Sequence, residues 1–315
     1  MESELDAGMD SVEWGGAPVI VPDLLDTVTV ARMPVGPRQE APGHDMWADR
    51  GLPLVAPQAK RDRPIRIDDD GNPLVRIRSV IPSQAVTFHR KLQGSFSTLE
   101  PLGRRSLSGV GPNELAQVMR LTTSHTTIRF AMQSLVYELP DGTIYTADSH
   151  CLDSRVGVLV SELKTSASFF FTDPAYRATL AIIEDASAAA NMTFLEETGK
   201  SVRGTPRRWK NVCFVYQHRF TGYSADREAR VRAGLADGSL TTLGDLVPIL
   251  GGKMQIALPR AAAMLCDRVI GFELDQRLTP DTPVFAVPIP HQDVDILKID
   301  VTVPVNPALV ARLGD

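Results

Sequence analysis

The chain has 315 residues, 43% of them hydrophobic and 23% charged, with a formal net charge of −5. That is enough apolar material for a real core and more length than one typical domain needs. No apolar run approaches the roughly 18 residues of a membrane span. The acidic start has no basic-then-apolar leader, so the expected location is the cytoplasm, at the nucleoid, with no membrane partner.

The charge is unevenly spread. Of the 38 acids, seven lie in residues 1–26, which hold no lysine or arginine; the remainder is 31 acids against 33 bases. Cys151, Cys213 and Cys266 form no CxxC pair, which argues against a zinc or disulfide framework.

Residues 1–80 are rich in Pro, Gly and Asp and read as a weakly ordered arm. A body starts at residue 81. "QAVTFHRKL" alternates like a strand, and "GVGPNELAQVMRL" is a helix with Asn113 as cap and Leu115, Val118, Met119 and Leu121 at helical spacing. "IRFAMQSLVYELPDGTIYTAD" reads as strand, Pro-Asp-Gly turn, strand. "VGVLVSELK" is a further strand, and "DPAYRATLAIIEDASAAANM" is a helix with Tyr176, Leu180, Ile183 and Ala190 on one face. "MTFLEE" and "NVCFVYQH" read as strands. The expected body, residues 81–218, is therefore a mixed α/β domain. From 219 to 315 the order changes to helix, helix and a short hairpin ("TLGDLVPIL", "LPRAAAMLCDRVI", "GFELDQRLTPDTPVFAV"), the order of a small winged-helix-like domain. The tail "PVNPALVARLGD" gives no clear pattern.

The strand at Val156–Val160 leads into two charges, Glu162 and Lys164. Side chains two apart in a strand share a face, so these two point together and Leu163 points to the opposite layer. Asp148 closes the preceding strand fourteen residues earlier, room for a turn and a return strand, and the three converge at a sheet edge. Two carboxylates with the backbone carbonyl of Leu163 make a hard-oxygen site suited to Mg²⁺. A lysine beside them can orient a water and stabilise charge on a phosphate oxygen. The alternative reading of the same residues is a solvated strand end and a turn. "SELK" also matches the S-x-x-K nucleophile pattern, but on a strand Ser161 and Lys164 face opposite ways and the companion elements are missing. No P-loop or G-x-G-x-x-G is present.

"YELPDGTIYTADSHCLDSRVGVLVSELKTSA" resembles the nuclease core of the TnsA endonucleases of heteromeric transposons, members of the PD-(D/E)xK restriction-like superfamily. The family pattern of Tyr-Thr-Pro-Asp, strand and Glu-x-Lys is met by Tyr145-Thr146-Ala147-Asp148 and Glu162-Leu163-Lys164, with Ala147 where the family has proline and Ser149 where it has an aromatic. The family's helix glutamate and Arg-Phe-x-x-Gln strand are matched by Glu114, Arg129-Phe130 and Gln133. The likeness spans roughly residues 85–287.

The resemblance implies a restriction-endonuclease-like mixed sheet and a catalytic set of Glu114, Asp148, Glu162 and Lys164. Mg²⁺, replaceable by Mn²⁺, would sit on Glu114, Asp148, Glu162 and Leu163. It implies cutting of transposon 5′ ends beside a TnsB-like transposase, under a TnsC-like ATPase regulator that contacts the C-terminal region. The basic stretch "VRGTPRRWK" (Arg203, Arg207, Arg208, Lys210) is either a DNA contact or a solvated loop. Two other functions share these features: a stand-alone restriction or repair nuclease, and a catalytically silent DNA-binding assembly factor.

Overall fold

The computed structural model describes residues 66–80, 95–99, 106–287 and 299–313. The expected strand at "QAVTFHRKL" and the acidic tail fall outside them. The described residues within Pro64–Asp315 belong to one compact unit.

In chain order the elements are strands β1 (Leu74–Ser79), β2 (Ser95–Leu99) and β3 (Ser106–Val110), helix α1 (Pro112–Thr123), then strands β4 (Thr127–Glu138), β5 (Ile144–Asp153) and β6 (Gly157–Lys164). Helix α2 (Pro174–Ala189), strand β7 (Met192–Thr198) and helices α3 (Gly199–Arg203) and α4 (Pro206–Gln217) follow. Helices α5 (Ala225–Ala236), α6 (Leu243–Leu250) and α7 (Met254–Cys266) come next, then strands β8 (Ile270–Gly271), β9 (Phe285–Ala286) and β10 (Asp300–Pro304), and helix α8 (Pro307–Val310).

Six strands make a mixed sheet in the order β10-β1-β4-β5-β6-β7. All its pairs are antiparallel except β6–β7. A parallel pair needs a crossover, and α2 supplies it: Asp173 accepts the Ala175 and Tyr176 N–H groups and Pro174 fills the first helical position. Leu180, Ile182, Ile183 and Ala186 are fully buried on α2. Ile182, Ile183 and Ala186 form one core with Val75, Ile77, Leu135, Tyr137, Ala147, Val160 and Val303 of the sheet. The other face carries α1, whose Val118 and Leu121 pack with Phe130, Met132 and Cys151.

Several local expectations change. Helix α1 starts at Pro112 with Gly111 as its cap at φ 94°, and no side chain caps it. Asn113 therefore sits inside the first turn, because a glycine able to take positive φ followed by a proline starts the helix earlier. "NVCFVYQH" lies largely in helix α4, not in a strand. Thr205 accepts the Arg208 N–H, Pro206 opens the helix, and Val212 and Val215 bury one face; the capped start outweighs the β-formers downstream. Asp148 stands inside β5, which continues to Asp153. Strand β1 precedes residue 81, and β10, just before the tail that showed no pattern, pairs with it along Leu74↔Pro304 to Arg78↔Asp300.

After residue 218, helices α6 and α7 appear where expected, preceded by α5, and β8 pairs with β9. The three cysteines are free thiols. Among the described residues no helix is long and apolar enough to cross a membrane.

Candidate active site

Strands β5 and β6 pair from Asp153↔Gly157 to Ser149↔Ser161, and there the ladder stops. Beyond that point the start of β5 stays with β4, as far as Glu138↔Ile144. The end of β6 stays with β7, as far as Lys164↔Thr198. The sheet thus forks in its middle, not at an edge. Asp148 stands at the fork and fills the missing rung with its side chain: the Leu163 N–H donates to Asp148 Oδ2 at 2.7 Å.

The fork coincides with an irregularity in the neighbouring pair. The β4–β5 register shifts between Met132 and Leu135, and Gln133 adopts φ 46° there. A bulge bends its strand and re-aims side chains. Ser149 meets Gln117 of α1 at 3.1 Å, whereas Ala147, two residues away, joins the core on the α2 side. The in-out alternation of β5 therefore changes phase at Asp148. Gln133 Nε2 lies 3.3 Å from both carboxylate oxygens of Glu114 in the first turn of α1.

Glu162 and Lys164 share a face as their spacing requires, and Lys164 Nζ donates to Glu162 Oε1 at 2.6 Å. Leu163 turns into the opposite layer with Ala116, Val202 and Trp209. Glu162 is buried, 4% exposed. Tyr145 Oη of β5 donates to its Oε2 at 2.5 Å, and Tyr176 Oη of α2 donates to its Oε1 at 2.5 Å. Burial first, and contact with Glu162 next, push both phenols above their ordinary pKa, so they remain donors. Lys164 Nζ also lies 4.8 Å from the centre of the Tyr176 ring.

Glu114, Asp148, Leu163, Lys164 and Phe169 line a cleft of about 440 Å³. Glu162 does not line the cleft but bonds to Lys164, which does. Burial, and then the charge of Glu162, raise the Asp148 carboxyl from 3.8 to about 8; Glu114 adds to the rise, while the Leu163 N–H and Lys164 oppose it. A carboxylate so crowded by other carboxylates is relieved by a cation. Among the described residues no three Asp, Glu, His or Cys side chains stand together as a metal cage. The donors that fit a cation are Asp148, Glu162 and the Leu163 carbonyl, an oxygen set of the kind Mg²⁺ uses while keeping several waters.

Of the residues expected at the site, Glu114, Asp148, Leu163 and Lys164 line this cleft, and Glu162 adjoins it through its bond with Lys164. The two phenols were missed. Tyr176 reads as one of the apolar positions of α2, and the sign of its other role is its place in the first turn, straight after the strand that ends in Glu-x-Lys. A buried polar layer under α1 was also missed. There Gln117 Nε2 meets Glu197 at 3.2 Å and Arg120 pairs with Glu197 at 2.6 Å. In the basic stretch, Arg203 lies over the Trp209 ring and Arg208 pairs with Asp275 at 3.2 Å. No protein-family model matches the chain, and a search of curated proteins finds no match.

Proposed function

We propose that this chain is a metal-dependent DNA endonuclease of the PD-(D/E)xK type that cuts the 5′ ends of a transposon, as TnsA proteins do. The observation that carries the reading is the forked sheet beside one cleft lined by Glu114, Asp148, Leu163 and Lys164, with Glu162 bonded to Lys164. Asp148, Glu162 and the Leu163 carbonyl would hold Mg²⁺ or Mn²⁺, which would supply charge stabilisation for phosphodiester hydrolysis. Lys164, held by Glu162, orients the attacking water and offsets negative charge on the phosphate oxygen. Glu114, steadied by Gln133, holds a water or a cation ligand at the far side. In this reading the sheet is restriction-endonuclease-like, and α5–α7 with β8–β9 form a winged-helix-like part for DNA or for a TnsC-like ATPase. A TnsB-like transposase brings the DNA and cuts the 3′ ends, so a near-neutral body suffices although phosphate binding normally draws on Lys and Arg.

The test is end cleavage on a plasmid carrying the element, with the partner transposase present. Wild type should cut the 5′ ends in Mg²⁺ and not in excess chelator. Lys164→Ala should lose 5′ cutting and keep partner assembly and 3′ cutting, so that the element is joined while still attached to its donor. Full double-strand excision by Lys164→Ala overturns the reading. The alternative reading is a silent DNA-binding assembly factor. It predicts normal partner assembly and no 5′ cutting by wild type in any divalent metal.

A further inference from the structure

Glu162 is the most heavily held side chain of the site. Three donors reach its two oxygens from three places: Tyr145 on β5, Tyr176 on α2 and Lys164 on its own strand, at 2.5, 2.5 and 2.6 Å. One phenol binds each oxygen, so the carboxylate is fixed against rotation as well as displacement. Packing alone does not require this. Tyr145 sets its ring edge-on to Tyr137, with centres 6.0 Å apart, an arrangement a phenylalanine would keep. Tyr176 opens a surface helix, where a phenol can point to water at no cost. Both hydroxyls instead turn inward to one acid. Oε2 receives a single phenol, so a lone pair remains there for a cation, while Oε1 carries both the second phenol and Lys164.

From this geometry we infer that Tyr145 and Tyr176 are positioning residues, which hold the Glu162 carboxylate at the fork so that it and Asp148 can take one divalent cation between them. The inference rests on the nuclease reading and adds to it a supporting layer drawn from two different elements. Partners of this kind typically change metal affinity or activity by about 10–100-fold when removed. Because Tyr176 belongs to α2 and Tyr145 to β5, the grip on Glu162 also fixes the crossover helix against the forked strands.

The experiment uses full-length protein and Mn²⁺ as the probe. Mn²⁺ affinity is measured by electron paramagnetic resonance, and the site's signal is identified as the part lost in Glu162→Gln. Tyr145→Phe and Tyr176→Phe should each weaken that signal's affinity several-fold, and the double variant by about 10–100-fold, with melting temperatures within a few degrees of wild type. Cleavage by the single variants should need correspondingly more Mg²⁺ for half-maximal rate while approaching the wild-type rate at saturation. Wild-type Mn²⁺ affinity in folded Tyr→Phe variants overturns the positioning role and leaves the nuclease reading intact. If wild type itself shows no Glu162-dependent Mn²⁺ signal up to millimolar metal, the metal-site reading falls and the inference falls with it. Should the double variant fail to fold, Tyr176→Phe, on the half-buried start of α2, decides the matter alone.

Discussion

Asp148 occupies an unfavourable place by design of its surroundings. Its carboxyl is raised from 3.8 to about 8 by burial and by Glu162, against the N–H of Leu163 and the charge of Lys164. The raised value means that the folded protein binds a proton here which the unfolded chain releases near pH 4. Stability from this group is therefore intact below about pH 4, declines as pH rises and reaches its minimum above pH 8. Asp148→Asn removes the charge and keeps an oxygen for the Leu163 N–H. The variant should match wild type in acid and exceed it at pH 9 by on the order of a few kcal/mol, while losing cleavage. Thermal melts at pH 4, 7 and 9 check this. A gap between the two proteins that does not widen with pH would show that Asp148 is not strained by its neighbours. Mg²⁺ at pH 8 should raise the melting temperature of wild type and leave that of Asp148→Asn nearly unchanged.

At the scale of elements, the bulge in β4 decides where Glu114 points. Gln133 sits at φ 46°, a left-handed conformation that costs a non-glycine residue about 1–2 kcal/mol, and its amide reaches both oxygens of Glu114. Gln133→Gly should relieve the backbone and lose the amide, leaving stability within about 1 kcal/mol of wild type. Glu114→Gln should likewise fold normally, since an acid in a first helical turn contributes only about 0.3–1 kcal/mol. In cleavage Glu114→Gln should fall by orders of magnitude, with partial rescue by Mn²⁺, and Gln133→Gly by a smaller factor. Normal Mg²⁺-dependent cutting by Glu114→Gln removes it from the site. These elements also show what was legible in the sequence. The Glu162–Lys164 pair and the turn of Leu163 into the other layer follow from a period of two, and the Pro-Asp-Gly turn marks the β4–β5 hairpin. The fork and the bulge do not show, because they are set by how far three strands stay paired and by one backbone angle, neither of which leaves a periodic trace. Helix α4 was hidden for a different reason: its β-forming residues are held helical by a cap and a proline upstream of them.

The whole molecule is closed by its later residues. Strand β10 pairs with β1, and the buried Val303 and Val305 join the same core as α2. A fragment of residues 81–218 lacks both strands and should not fold alone, whereas residues 64–315 should; far-ultraviolet circular dichroism and limited proteolysis distinguish the two. One buried side chain ties α7 to α1. Arg268 is 5% exposed. Its guanidinium donates to the carbonyls of Leu121 and Thr122 at the end of α1, of Leu265 and Cys266 at the end of α7, and of Thr127 at the start of β4, at 2.6 to 3.1 Å. A cation at two helix C-termini is favoured by both dipoles. Its backbone is at φ 60°, and the N–H groups of Arg268 and Val269 bond back to Leu265 and Met264, the helix ending in which glycine is the usual occupant. Arginine is thus kept at a position where glycine would relieve about 1–2 kcal/mol of backbone cost. Each orphaned buried carbonyl costs on the order of 1 kcal/mol or more, so the five bonds outweigh that relief. Arg268→Gly should therefore destabilise by about 2–4 kcal/mol, and Arg268→Lys, with three donors and no planar fork, should not restore the loss. Chemical denaturation of the full chain measures both. An Arg268→Gly protein as stable as wild type would mean that the guanidinium contributes nothing to holding α7, α1 and β4 together.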